Sequence, residues 1–174
     1  MKVSLLPTIT RCWTRIGQQR MIPTPGPWAA KCWDWGTVDV LSGHTLHVVH
    51  TRRNNVGFRR LLAAIARDYA LAQHPQRQVI LFVDNDKAHQ AKVVERLLDK
   101  HQHQIRVEFL APYSPEYNPQ EDIWQHLRRR VTHNHYFEQM PALITAVHEF
   151  HRDLQADPEQ ALRLTKKWAR LIAT

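Results

Sequence analysis

Five apolar residues in unbroken succession, Val79-Ile80-Leu81-Phe82-Val83, stop abruptly at Asp84-Asn85-Asp86. The run is too short for a helix and rich in β-branched and aromatic residues, which marks a strand buried on both faces. A chain with such a strand must supply layers to cover it, and its flanks do. Phe58, Leu61, Leu62, Ile65, Ala66 and Tyr69 recur at helical spacing over 56–72, ended by His74-Pro75. A second helix spans about 88–100, with Val93, Val94, Leu97 and Leu98 inward. Upstream, the runs Cys32 to Val40 and Thr45 to Thr51 are separated by Leu41-Ser42-Gly43-His44, a hairpin signal. Pro23, Pro25, Gly26 and Pro27 make the segment before it a loop.

Downstream come a short strand from Ile105 to Leu110 and the loop Ala111-Pro112-Tyr113-Ser114-Pro115. A helix then starts at Asn118-Pro119, since Asn caps well and Pro suits the first helical position. Its stripe is Ile123, Trp124, Leu127 and Val131. Two more helices fall within 138–172. One carries Leu143, Ile144, Val147, Phe150 and Leu154, and the other opens at Asp157-Pro158 with Gln160 as capping partner. The alternation predicts an α/β sheet protein. With 174 residues, no repeat and no linker, 1–174 reads as a single domain.

Lys and Arg number 24 against 16 Asp and Glu, a net charge of +8 that favours a polyanion such as nucleic acid. Cys12 and Cys32 form no CxxC pair, so the chain reads as reduced and intracellular. The 12 histidines lack the paired spacings of structural zinc. No apolar stretch approaches the roughly 18 residues of a membrane span.

Asp84 sits at the carboxyl end of the apolar strand, where open α/β sheets place ligands, and a carboxylate there followed by Asn85 suits a hard cation. Asp-Asn-Asp is equally good turn chemistry. Glu121 falls three residues after the proposed cap, as a capping-box glutamate would. It also lies about 60° around the helix from Trp124, at the margin of the buried stripe. Asp122 turns to another face and reads as a surface charge complementing the helix dipole. His133-Asn134-His135 spells a nuclease motif without its spacing, and His101 and His103 read as solvated. Arg128-Arg129-Arg130 is either a solvated face or a phosphate contact, and Lys166, Lys167 and Arg170 make a weaker patch.

Taken together, Asp84-Asn85 with His89, then Pro112-Tyr113-Ser114-Pro115, then Asn118-Pro119-Gln120-Glu121 with Trp124, resemble the catalytic core of mariner-like insertion-sequence transposases. These are DDE-type endonucleases with an RNase H-like mixed sheet flanked by helices. Leu5-Leu6-Pro7, Arg15-Ile16-Gly17-Gln18 and Pro23-Thr24-Pro25-Gly26 look like the stretch that follows the family's first strand. The core motifs lie within 79–131. The resemblance implies that Asp84 and Glu121, with 36 residues between them, are catalytic metal ligands. It places Asn85, His89, Tyr113, Ser114 and Asn118 around them. It further implies two magnesium (or manganese) ions roughly 4 Å apart, activating a water and then a DNA 3′-hydroxyl for in-line attack. Implied partners are transposon-end and target DNA, contacted by Arg128, Arg129 and Arg130. A homodimer is compatible, no membrane is involved, and the setting is the bacterial cytoplasm, at the nucleoid when DNA is bound.

The sequence departs from the family at its start. The first aspartate belongs on a strand ahead of Leu5-Leu6-Pro7, whereas here no acid precedes Asp34 and the chain opens where that strand should end. The expectation is an N-terminally truncated transposase domain with two of three carboxylates. Two alternatives stand beside it: a catalytically inactive DNA-binding remnant, or another RNase H-like nuclease whose first acid is Asp34 or Asp39.

Overall fold

The computed structural model describes residues 2–5, 8–19, 21, 32–101, 103–112 and 114–168. Strands β1 (Lys2–Leu5), β2 (Cys32–Val38) and β3 (Thr45–His50) form an antiparallel sheet in that order. Strands β4 (Val79–Val83) and β5 (Ile105–Phe109) form a parallel pair, with Leu81 opposite Val107 and Val83 opposite Phe109. The helices are α1 (Asn55–Asp68), α2 (Lys92–Lys100), α3 (Pro119–Leu127), α4 (Met140–Ala156) and α5 (Pro158–Leu164). A five-residue π-helical turn, Arg128–Thr132, extends α3. The expected α/β order of hairpin, helix, strand, helix, strand and helices is present.

Local chemistry explains most boundaries. The β2–β3 hairpin closes through Gly43 at φ +74°, with the Asp39 carboxylate accepting from the Leu41 N–H at 2.9 Å. Asn118 caps α3 by accepting from the Gln120 N–H at 3.0 Å, with Pro119 in the first turn. Asp157 does the same for Gln160 at the start of α5. Ile123, Trp124 and Leu127 are fully buried and Val131 nearly so, as the stripe requires.

Several expectations are corrected. Strand β4 is covered on one face only: Leu81 and Val83 enter the core, while Ile80 and Phe82 remain 50% and 51% exposed. An apolar run permits either arrangement, because residue type does not report what lies above a sheet. Helix α1 ends at Asp68, short of 72. Ala70 adopts φ +48°, and Leu71 N–H and Ala70 N–H bond back to Ala66 and Arg67, a left-handed cap built without glycine. Helix α2 starts at Lys92 because the residues before it are held in a turn by Asp86, and only Val94 of its apolar set is fully buried. At the amino-terminal end, Lys2–Leu5 pairs as a short strand with Trp35 to Cys32, along one edge of the hairpin. The proline-rich loop around 23–27 lies outside the described residues.

Three contacts orient the layers. The Asp34 carboxylate on β2, wholly buried, accepts from Trp124 Nε1 of α3 at 2.9 Å and meets His151 Nε2 of α4 at 3.0 Å. Gly36 lets α3 approach β2, since a Cβ there would lie 2.5 Å from Gln120 Nε2. Gly57 lets α1 approach β2, since a Cβ would lie 2.0 Å from Trp35 Nε1.

Gly57 supplies a test with a sign opposite to propensity. Alanine in a helix ordinarily gains about 1 kcal/mol over glycine. Here the methyl must displace an indole ring with no exposed surface. Overpacking of that kind costs about 1–3 kcal/mol. Gly57→Ala is therefore expected to lower the urea midpoint, and an unchanged or higher midpoint would show that Trp35 is not held against α1.

Candidate functional site

Asp84 is the first residue beyond β4, and the next five residues wrap around it. Its Oδ1 accepts from the Asp86 N–H at 3.2 Å, and Asp86 Oδ1 in turn accepts from the Ala88 N–H at 2.8 Å. The turn reading of Asp84-Asn85-Asp86 and the ligand reading thus describe the same residues. Asn85 Nδ2 donates to the Leu110 carbonyl at 2.6 Å, tying the ends of β4 and β5 together. His89 returns its Nδ1 to Asp84, 2.9 Å from the carbonyl and 3.0 Å from Oδ1.

Glu121 occupies the first turn of α3. Its carboxylate lies 3.8 Å from the guanidinium of Arg128, two turns along the same helical path, rather than closing a capping box. Burial pushes the Glu121 carboxyl above its ordinary value; Arg128 opposes this, and the negative charges of Asp84 and Asp122 reinforce it. Burial also acts to raise Asp84, but the hydrogen bonds from His89 and the Asp86 N–H outweigh it and leave that carboxyl below its ordinary value. The Glu121 carboxyl therefore feels the negative charge of Asp84, and an excess of negative charge of that kind is the electrostatic setting that attracts a hard cation.

Asp86, Lys2 and Arg53 were not singled out from the sequence. The Lys2 ammonium pairs with Asp86 and lies 5.1 Å from the centre of the Trp35 ring, with 4% of its side chain exposed. Arg53 donates to the same Asp86 oxygen at 3.0 Å. A turn aspartate gives no signal of partners so distant in sequence.

Other expected residues divide. Arg129 and Arg130 are exposed on the π-helical turn, a feature often found at functional sites. Asn118 is spent on the helix cap, and the Ser114 hydroxyl bonds the Pro112 carbonyl at 3.2 Å. Tyr113 and Arg170 lie outside the described residues. Lys167 is engaged by Asp122, which also accepts from Trp168 Nε1. Asn134, within the His-Asn-His letters, is structural: at φ +57° it bonds Thr10 through both side-chain atoms. Asp34 is enclosed by Trp124 and His151, and Asp39 serves the hairpin turn through Ser42 and Leu41. Among the described residues no group of three or more His, Cys, Asp or Glu side chains is poised around a metal position. No helix among them is long and apolar enough to cross a membrane.

The opposed shifts predict opposite pH behaviour. A carboxyl raised on folding costs stability above its ordinary pKa, whereas one lowered on folding adds stability there and loses it as pH falls through the folded value. With chelator present, Glu121→Gln is expected to raise the urea midpoint at neutral pH and Asp84→Asn to lower it. The first difference should close below about pH 4.3 and the second at lower pH still. Midpoints that move in the same direction at neutral pH would contradict the coupling.

Comparison with known proteins matches this architecture. A family model described as DDE superfamily endonuclease matches residues 1–144. The insertion element IS630 uncharacterized 39 kDa protein of Shigella sonnei is 29% identical over 148 residues, 85% of this chain and 41% of the relative. The chain thus spans about two-fifths of the length of that relative. The mariner Mos1 paired end complex with Mg superposes with a TM-score of 0.69 at 18% identity, covering 97% of this chain and 51% of that one. The catalytic domain of Mos1 mariner transposase gives 0.55 at 17% identity, covering 79% and 74%. The fold is RNase H-like, and with the family match running over most of its length the chain belongs to the DDE endonuclease superfamily.

Proposed function

We propose that this chain is a transposase domain in which Asp84 and Glu121 are carboxylate ligands of a divalent cation, magnesium or manganese, used in DNA strand cleavage and transfer. What supports the reading is that the negative charge of a strand-end aspartate raises the carboxyl of a helix-start glutamate, with 36 residues between them in the chain. The donor set fits: both groups are half-buried carboxylates, and the charge of Asp84 bears on Glu121. When bound, a divalent cation supplies charge stabilisation to the phosphoryl oxygens in an in-line displacement. Asn85 holds the β4 and β5 ends that present Asp84, and Asn118 fixes the helix start that presents Glu121. Arg128 balances Glu121, while exposed Arg129 and Arg130 are free to meet backbone phosphates. One Mos1 structure is a paired-end complex with the left transposon end, and DNA is the partner proposed for this chain.

A second reading, an inactive DNA-binding remnant, is favoured by one observation: no described residue supplies a third carboxylate beside Asp84 and Glu121. Manganese binding followed by electron paramagnetic resonance, with magnesium-dependent nicking of supercoiled DNA, separates the two. Binding without nicking supports the remnant, and binding with nicking supports the enzyme. Asp84→Asn and Glu121→Gln should each weaken manganese binding, and unchanged binding in both would refute the ligand assignment.

DNA affinity should fall steeply with salt, each phosphate contact adding about 0.9 to the log–log slope on duplex DNA. Replacing Arg128, Arg129 and Arg130 by Ala should flatten that slope. A slope indifferent to the three substitutions would place the DNA elsewhere.

A further inference from the structure

We infer that His89 is a positioning residue for Asp84, fixing which carboxylate oxygen is turned toward the cation; this rests on the proposed reading of Asp84 as a ligand. Both atoms facing His89 Nδ1 are oxygens of Asp84, the carbonyl at 2.9 Å and Oδ1 at 3.0 Å. Two acceptors demand a donor, so Nδ1 carries the hydrogen. With the Asp86 N–H on the same Oδ1, that oxygen holds two donors. No described residue donates to Oδ2, and 42% of the Asp84 side chain is exposed. One oxygen is clamped and the other is left for a ligand.

The clamp itself cannot swing. The His89 side chain has no exposed surface, its ring lying 4.3 Å from Phe58 and 5.9 Å edge-on from Trp35, centre to centre. Its Nε2 is buried without a hydrogen-bond partner. A histidine placed for packing alone would gain by being apolar, since an unpaired buried nitrogen costs stability. What the imidazole adds here is the Nδ1 donor to Asp84. Outer partners that orient a ligating side chain commonly govern metal affinity as strongly as tenfold or more.

Two replacements separate donor from volume. His89→Leu fills the pocket and removes the N–H, whereas His89→Asn keeps an N–H at the same distance along the side chain. Manganese affinity is expected to fall about tenfold or more in the Leu variant and to be largely retained in the Asn variant. Thermal unfolding in chelator measures separately what the same donor contributes to the metal-free fold, where the bond is already made. Equal affinity in the unsubstituted chain and both variants, or equal loss in both, would overturn the inference.

A metal-independent measurement keeps the question open to decision if a variant fails to fold. Imidazole ¹⁵N resonances of the unsubstituted chain should show the Nδ1–H form, and Asp84→Asn should shift the Nδ1 signal. An Nε2–H form, or an Nδ1 signal indifferent to Asp84→Asn, would likewise overturn it. Should the unsubstituted chain bind no manganese, the ligand reading of Asp84 fails. The nitrogen spectrum then still decides whether His89 holds that carboxylate.

Discussion

The placement of α3 depends on a single buried anion. Asp34 has no exposed surface, and burial acts to raise its carboxyl; His151 and the Trp124 indole outweigh that, so the group stays below its ordinary value. An ionised carboxylate in a protein interior is tolerated only when it is paired and hydrogen-bonded, and losing one partner leaves an uncompensated charge. Asp34 thereby links β2 to α3 and α4 at once. Trp124 lies three residues beyond Glu121, so the contact that secures the indole also sets the angle at which Glu121 leaves the helix. Gly36, beside Asp34 on the same strand, permits the close approach by leaving room for Gln120.

The histidines behind this carboxylate extend the same logic. His47 of β3 stacks on His151 with ring centres 3.9 Å apart and planes 9° from parallel, and reaches His148 at 2.9 Å. Burial pushes His47 down to about 3, with His151 adding to the effect. A His47 ring held neutral adds no positive charge to this junction. The 12 histidines, which lack the spacings of structural zinc, include three that line a helix–sheet junction.

Legibility followed the range of the interaction. The α3 cap, the hairpin turn and the α5 capping pair are local, and each was readable because the deciding groups are within a few residues of one another. Asp84 and Glu121 were readable as candidates for the same reason: one ends an apolar run and the other follows a cap. That they share one site is a tertiary proposal, and it was the motif pattern that suggested it. Asp34 illustrates the limit. In sequence it is an acid on a hairpin, eligible as a first catalytic carboxylate, and only the three-dimensional enclosure by Trp124 and His151 gives it a structural role. Ala70 shows a smaller version, taking a left-handed position that a reader of sequence reserves for glycine. The outward face of β4 is a third, since Ile80 and Phe82 carry no mark of which side is covered.

The stitching of Thr8 and Thr10 to Thr132 and Asn134 bears on how the chain assembles. Thr10 and Asn134 are separated by 124 positions, while β1 meets β2 across about 30. Contacts of such separation close large loops, and they form slowly because chain entropy is spent before the bonds are gained. On a ribosome, which releases the chain from its amino end, Thr8 and Thr10 emerge long before their partners exist. The opening segment can pair with β2 early, but its far end must wait until α3 and the π-helical turn have been synthesised. Completion of the fold at this corner is therefore timed by the synthesis of α3 and the π-helical turn, and residues 8–10 are fastened only after partners some 124 positions downstream have been made.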